Sequence, residues 1–202
     1  MAPDAVVAKP YHHGDLRRAV IEAALEEIAV GGPAGLSLRQ VARRAGVSHA
    51  APAHHFGDKA GVLTAIATEG YDRLAQATGE AAAASDDLWE CGRAYIRFSV
   101  DHPSHFEVMW RPDLYRADDP ELIRAREGAF AVLFESSERA LDDPAADVLG
   151  LAVAAWSFCH GFAALLLHGN VPPEFGTDED VIAERLGRGL TNLVASHERT
   201  AR

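Results

Sequence analysis

Cysteine is scarce. Cys91 and Cys159 are the only two in 202 residues. They lie too far apart for a Cys-x-x-Cys motif, which argues against a disulfide framework or a zinc site. Lysine is nearly absent as well: Lys9 and Lys59 are the only lysines among nineteen basic residues, a bias of coding rather than of mechanism. The sequence shows no run of eighteen apolar residues and no signal-peptide pattern, which predicts a cytoplasmic chain with no membrane partner. No stretch alternates like a strand, and no repeat or low-complexity segment occurs. What remains is an ordinary globular composition, 48% hydrophobic and 24% charged, long enough for one to two domains with a sizeable core. Apolar residues recur three to four apart, which predicts an all-α chain of about nine helices.

The net charge of −11 is unevenly distributed. Residues 1–70 hold seven basic and seven acidic side chains, so the whole deficit lies beyond residue 70. Within the neutral part the bases cluster at Arg39, Arg43 and Arg44, followed by His49, His54, His55 and Lys59. A solvated helix face is the bland reading of such a cluster. The local sequence favours a nucleic-acid surface on an acidic body.

That local sequence is Ser37 to Lys59. Ser37 is a good N-cap, and Leu38, Val41, Ala42 and Ala45 form one apolar face. Gly46 ends the helix, Val47 returns to the core, and Ser48 is read as the cap of a second helix. With that cap, Pro52 falls about four residues in and forfeits roughly one backbone hydrogen bond. Helix, glycine turn and capped helix is the layout of a DNA-reading helix-turn-helix.

Residues 11–70 resemble the DNA-binding domain of the tetracycline-repressor (TetR) family. The carriers are Leu36-Ser37-Leu38-Arg39-Gln40-Val41-Ala42, Ala45-Gly46-Val47-Ser48, His54-His55-Phe56 and Lys59. Ala53 departs from the tyrosine usual in the family, which removes one phosphate contact. The resemblance implies an N-terminal three-helix domain over 11–58, after an N-terminal arm over 1–10 expected to be disordered. A long helix over 59–84 joins it to a helical regulatory and dimerisation domain over 59–202. It also implies a homodimer on a palindromic operator, with the last two helices of each subunit forming a four-helix bundle. Base contacts are expected at His49, Ala50 and Ala51, and a guanine or phosphate contact at Arg39. Phosphate contacts are expected at Ser37, Ser48, His54, His55 and Lys59.

Within this domain, ahead of the reading helices, a helix is predicted from Asp15 to Val30, with His12 and His13 at its entry. After it, Asp58 caps the linking helix. Further helices are predicted over 86–101, over a short segment capped by Ser104, and over 121–141, 147–167 and 178–196. The segment 147–167 is apolar nearly all round, so it is expected to be buried on more than one side. Leu122, Phe130, Leu133 and Phe134 are read as buried.

Trp156 and His160 share a helix face, and Trp156-x-x-x-His160-Gly161 resembles the signature of one C-terminal subgroup of the TetR-like family. A lone histidine in an apolar helix is more often a satisfied core residue than a site. The resemblance implies a ligand cavity among the central helices. Tyr95, Phe98, His102, Trp110, Phe130, Trp156 and His160 are its expected lining, for a small and largely apolar effector. Ile182, Leu186, Leu190 and Leu193 are the expected dimerisation stripe. Asp101, His102 and His105 lack further ligands or a nucleophile, so neither enzyme, metal nor cofactor is expected. Buried Cys159 is read as inert. The reading is a ligand-responsive regulator, most simply a repressor. Its rivals are a ligand-blind DNA-binding dimer and a small helical enzyme.

Overall fold

A computed structural model describes residues 13–141, 143, 145–176 and 178–200, with side chains over 16–141, 143, 145–176, 178 and 181–192. The arm 1–10, His12, and the side chains of His13 and Leu193 therefore lie outside the described residues. Among these residues there are nine α-helices, two short 3-10 turns and no strand. The all-α expectation holds.

Helix α1 spans His13–Gly31, starting two residues earlier than expected. It buries Val20, Ile21, Ala23, Ala24 and Ile28. Helix α2 is Leu38–Arg44, and Ser37 holds its N-cap position without a side-chain cap hydrogen bond. Its end is a full Schellman closure. Val47 N–H donates to Ala42 O at 3.0 Å and Gly46 N–H to Arg43 O at 3.3 Å. Gly46 supplies the left-handed backbone, φ 67°.

Helix α3 is Ala51–Phe56, and Ser48 does not cap it. Residues 48–50 form a turn closed by Ala51 N–H on Ser48 O at 3.0 Å, and Ala50 takes the cap position. Pro52 then sits in the first turn, where its missing N–H forfeits nothing. Helix α4, Lys59–Ala84, agrees with the expected linking helix, and Asp58 Oδ1 accepts from Gly61 N–H at 2.9 Å.

Around α4 pack α5 (Leu88–Asp101), α6 (Pro103–Met109) and α7 (Pro120–Arg139). Pro103 opens α6 as well as closing the previous helix, and His102 is the cap residue. Ser104 is not a cap. Its hydroxyl donates to Leu25 O at 3.0 Å, which fastens α6 to α1. The core is continuous from Val20 and Ile28, through Ile66 and Tyr71, to Phe98, Met109 and Cys159.

Helix α8 is Val148–Leu167 and α9 is Glu179–Thr200. By length and composition α8 is apolar enough to cross a membrane, although Ser157 and His160 interrupt its apolar run. It packs instead on α5 and α7. Nor is it buried on several sides. Ala152, Cys159, Phe162 and Ala163 are buried, while Leu149, Val153 and Leu165 stand exposed. Phe130 is 38% exposed rather than buried.

Candidate DNA-reading face and internal cavity

The basic cluster divides once its partners are identified. Arg44 donates to Glu27 at 2.7 Å and to Glu26 at 2.9 Å, and these bonds hold its guanidinium pKa above the ordinary value. Its charge is therefore matched within the chain. Arg39 and Arg43 are exposed and make no ion pair or hydrogen bond to the described residues. Ser48, His49, Ala50 and His54 are exposed; Ser37, His55 and Lys59 are half-buried. Ala51 is only 8% exposed, because the late start of α3 turns it into the core. Its side chain faces the core rather than the exposed surface expected of a base contact. Lys59 Nζ donates to Ala34 O at 2.6 Å, tying the start of α4 to the turn after α1.

Two further fastenings join this domain to the helices behind it. Arg116, in the loop after α6, donates to Asp58 Oδ1 at 3.0 Å, and its backbone N–H donates to Thr64 Oγ1 at 3.0 Å. Glu69 Oε1 on α4 accepts from Arg18 of α1 at 2.9 Å and from Arg73 at 2.6 Å. His105 Nε2 stands 3.5 Å from the same oxygen, too far for a good hydrogen bond but close enough for an electrostatic contact. The neighbouring His105, then Arg73 and Arg18, hold the Glu69 carboxyl well below the usual carboxylate range against its partial burial.

Between α4, α5, α7 and α8 lies a cavity of about 510 Å³, a volume suited to a small organic ligand. Four of the expected lining residues are on its wall: Tyr95, Trp110, Phe130 and Trp156. Three are not. Phe98 is buried in the core, and His102 packs on it with ring centroids 5.3 Å apart beside a separate polar groove. His160 turns off the wall: its Nδ1 lies 2.9 Å from the Tyr95 hydroxyl, and its ring stacks on Phe106 at 5.4 Å. Burial lowers its pKa from the ordinary 6.5.

The wall also holds residues that the sequence reading missed, among them Trp89, Phe158, Cys91 and Arg126. Arg126 was legible: it stands four residues from both Leu122 and Phe130, on the apolar stripe of α7. Cys159 lines the cavity too, and burial pushes its thiol up to about 11, so it stays protonated.

The α9 stripe is divided within the single chain. Ile182 is 7% exposed within the single chain, and Leu186 is half-buried. Leu190 lines the cavity, and Gly187 lies against the Trp89 ring. Leu186 and Leu190 remain half-buried, so part of the stripe is still open on the single chain.

Residues 20–66 match the family described as bacterial regulatory proteins, tetR family. Residues 88–190 match the tetracyclin repressor-like, C-terminal domain. The chain belongs to the TetR family. No curated protein matches it. It is similar to the solved structure of a protein of unknown function from Rhodococcus sp. RHA1, at 29% identity and TM-score 0.72, covering 90% of this chain and 98% of that one. A bacterial regulatory protein in the tetR family from Rhodococcus RHA1 shares the fold at 22% identity and TM-score 0.65, with 84% and 92% covered. So does the multidrug binding protein EbrR complexed with imidazole, at 22% identity and TM-score 0.56, with 93% and 96% covered. As a TetR-family member the chain is a DNA-binding transcription regulator and not an enzyme.

Proposed function

We propose that this TetR-family chain is a homodimeric, cytoplasmic repressor that leaves a palindromic operator when a small, largely apolar effector fills the cavity. The observation that carries the reading is the position of α4. Its first turn, at Asp58 and Lys59, abuts α3 in the reading domain, and its Tyr71, Leu74 and Thr78 line the cavity. A ligand that displaces this wall acts directly on the helix that sets the reading head. The Ser104–Leu25 bond gives a second connection, because α6 ends at the cavity residue Trp110. Such a change is a population shift, so the effector must bind the released arrangement better than the DNA-bound one. The solved relative EbrR, a multidrug binding protein complexed with imidazole, supports a ligand role for this type of body.

The DNA contacts in this reading are Ser37, Arg39, Ser48, His49, Ala50, His54, His55 and Lys59, over a domain ending at residue 58. A dimer would hold two reading helices about 34–36 Å apart, one turn of the duplex. The test begins by sequencing the DNA fragments that the purified protein selects. The protein–operator complex is then challenged with apolar metabolites. A palindromic site released by some of them supports the reading; a selected site that no small molecule releases supports a ligand-blind dimer.

A further inference from the structure

Arg126 is the only charged side chain on the cavity wall among the described residues. It has no ion pair or hydrogen bond there. That is unusual in a body with so many carboxylates. Two residues earlier on the same helix, Arg124 reaches Asp72 at 3.5 Å, and Arg139 further along donates to Ser136 at 3.1 Å. Arg126 instead has Leu122 and Phe130 as its helical neighbours at a spacing of four.

Three other polar groups of the wall are already engaged. The Tyr71 hydroxyl donates to Met109 O at 3.1 Å, the Thr78 hydroxyl to Leu74 O at 2.9 Å, and the Tyr95 hydroxyl meets His160. The Trp110 indole N–H is buried without a partner. Trp110 and Arg126 are both near Tyr71. The Trp110 ring packs edge-on against Tyr71 at 5.8 Å, and the Arg126 charge acts on the Tyr71 hydroxyl. The wall thus offers a permanent cation without a partner in the described chain, and an apolar chamber for the rest of a ligand.

We infer that the effector is an apolar carboxylic acid whose carboxylate pairs with Arg126 at the edge of the cavity. This rests on the reading of the cavity as the effector site. A guanidinium binds a carboxylate through two parallel N–H bonds. An alcohol of the same body forfeits the charge, and an amine is repelled.

The protein's three tryptophans, Trp89, Trp110 and Trp156, all line the cavity, so intrinsic fluorescence reports occupancy. The experiment titrates the full chain with decanoate, decanol and decylamine, and with 4-phenylbutyrate and 4-phenylbutanol. The acids are expected to bind at least about tenfold tighter than their alcohols, with the amine weakest. Arg126→Met should erase that preference, and Arg126→Lys should retain part of it. Arg126 is exposed, and matching circular-dichroism melts would show that the fold is kept. Equal binding of acids and alcohols to the wild type, or a preference that survives Arg126→Met, overturns the inference and leaves the cavity reading standing. If no probe of any head group binds, the cavity reading falls as well.

Discussion

The Tyr95 hydroxyl and His160 Nδ1 lie 2.9 Å apart, and this pair explains why the histidine of the Trp156-x-x-x-His160 segment faces away from the cavity. Burial pushes the Tyr95 phenol above its ordinary range, so it keeps its proton. Burial also lowers the basicity of His160, so the imidazole is neutral. Two neutral groups then share one hydrogen bond, whose donor is set by the imidazole tautomer. The tyrosine presents its ring to the cavity while the histidine, packed on Phe106 and Trp110, fixes the tyrosine from behind.

Removing either partner leaves a buried polar group unmatched. Tyr95→Phe and His160→Phe should each destabilise by about 1–3 kcal/mol, with the double variant costing less than the sum. Urea unfolding measures all three. The pH dependence follows from the sign of the shift. A histidine whose folded pKa is depressed contributes stability above its ordinary value of 6.5, and that contribution is lost as pH falls through the lower folded value. Wild-type stability should therefore fall more steeply than that of His160→Phe as pH drops below 6.5. His102, lowered chiefly by burial and then by Arg73, is present in both proteins and cancels in the comparison. Parallel pH profiles would remove His160 from this role.

On the reading face, the pairing of Arg44 separates residues that the sequence grouped together. Lys59→Ala should weaken binding to every DNA sequence and reduce the salt slope by about one phosphate's worth. Arg39→Ala or His49→Ala should relax preference at particular bases. Arg44→Ala should leave the slope unchanged, since Glu26 and Glu27 already match its charge. Fluorescence anisotropy at several salt concentrations distinguishes these outcomes. An Arg44→Ala slope change as large as that of Lys59→Ala would show that the ion pairs open on DNA.

The helix-turn-helix was legible because its signals are local. Gly46 must be left-handed, Val47 must return, and Asp58 must cap α4, and each can be read from a few neighbouring residues. The start of α3 was misread for a local reason too: Ser48 is a good cap residue, but Pro52 is more comfortable in a first turn. The cavity was only half legible. A stripe of apolar residues looks the same whether it faces protein or empty space, so Tyr95 and Phe98, three apart on α5, could not be separated. The α9 stripe likewise does not say how much of it the chain itself covers: Ile182 is buried, while Leu186 and Leu190 are half-buried.

Gly61 marks a close approach that the sequence did not advertise. A Cβ there would overlap the Phe56 carbonyl oxygen and come within 3.0 Å of the Arg116 guanidinium. The side chain can move, but the backbone oxygen cannot. Gly61→Ala should destabilise the junction of α3 and α4 by about 1–3 kcal/mol despite the better helix propensity of alanine. It should also weaken operator binding more than Gly128→Ala, whose Cβ meets nothing within 4 Å. Thermal melts and operator titrations of the two variants provide the comparison. Equal melting temperatures would show that the α3–α4 junction yields freely.

The last prediction concerns the proposed dimer and sets the outer face of α8 against the α9 stripe. Leu149, Val153 and Leu165 lie at multiples of four along that helix and are exposed, and Val181 is exposed near the start of α9. A helix apolar all round with one bare face is explained if a second copy covers it by a twofold, self-complementary contact. Val153→Asp and Leu165→Asp should give folded monomers by sedimentation velocity. They should weaken binding to a palindrome by about a hundredfold or more, because the two half-sites are then engaged independently. Leu190→Asp should behave differently. It places a charge on the chain's own cavity wall, so it should lower the melting temperature and impair ligand binding while the dimer persists. If Leu190→Asp dissociates the dimer and Val153→Asp does not, the contact between copies belongs to α9, and the exposed face of α8 needs another partner.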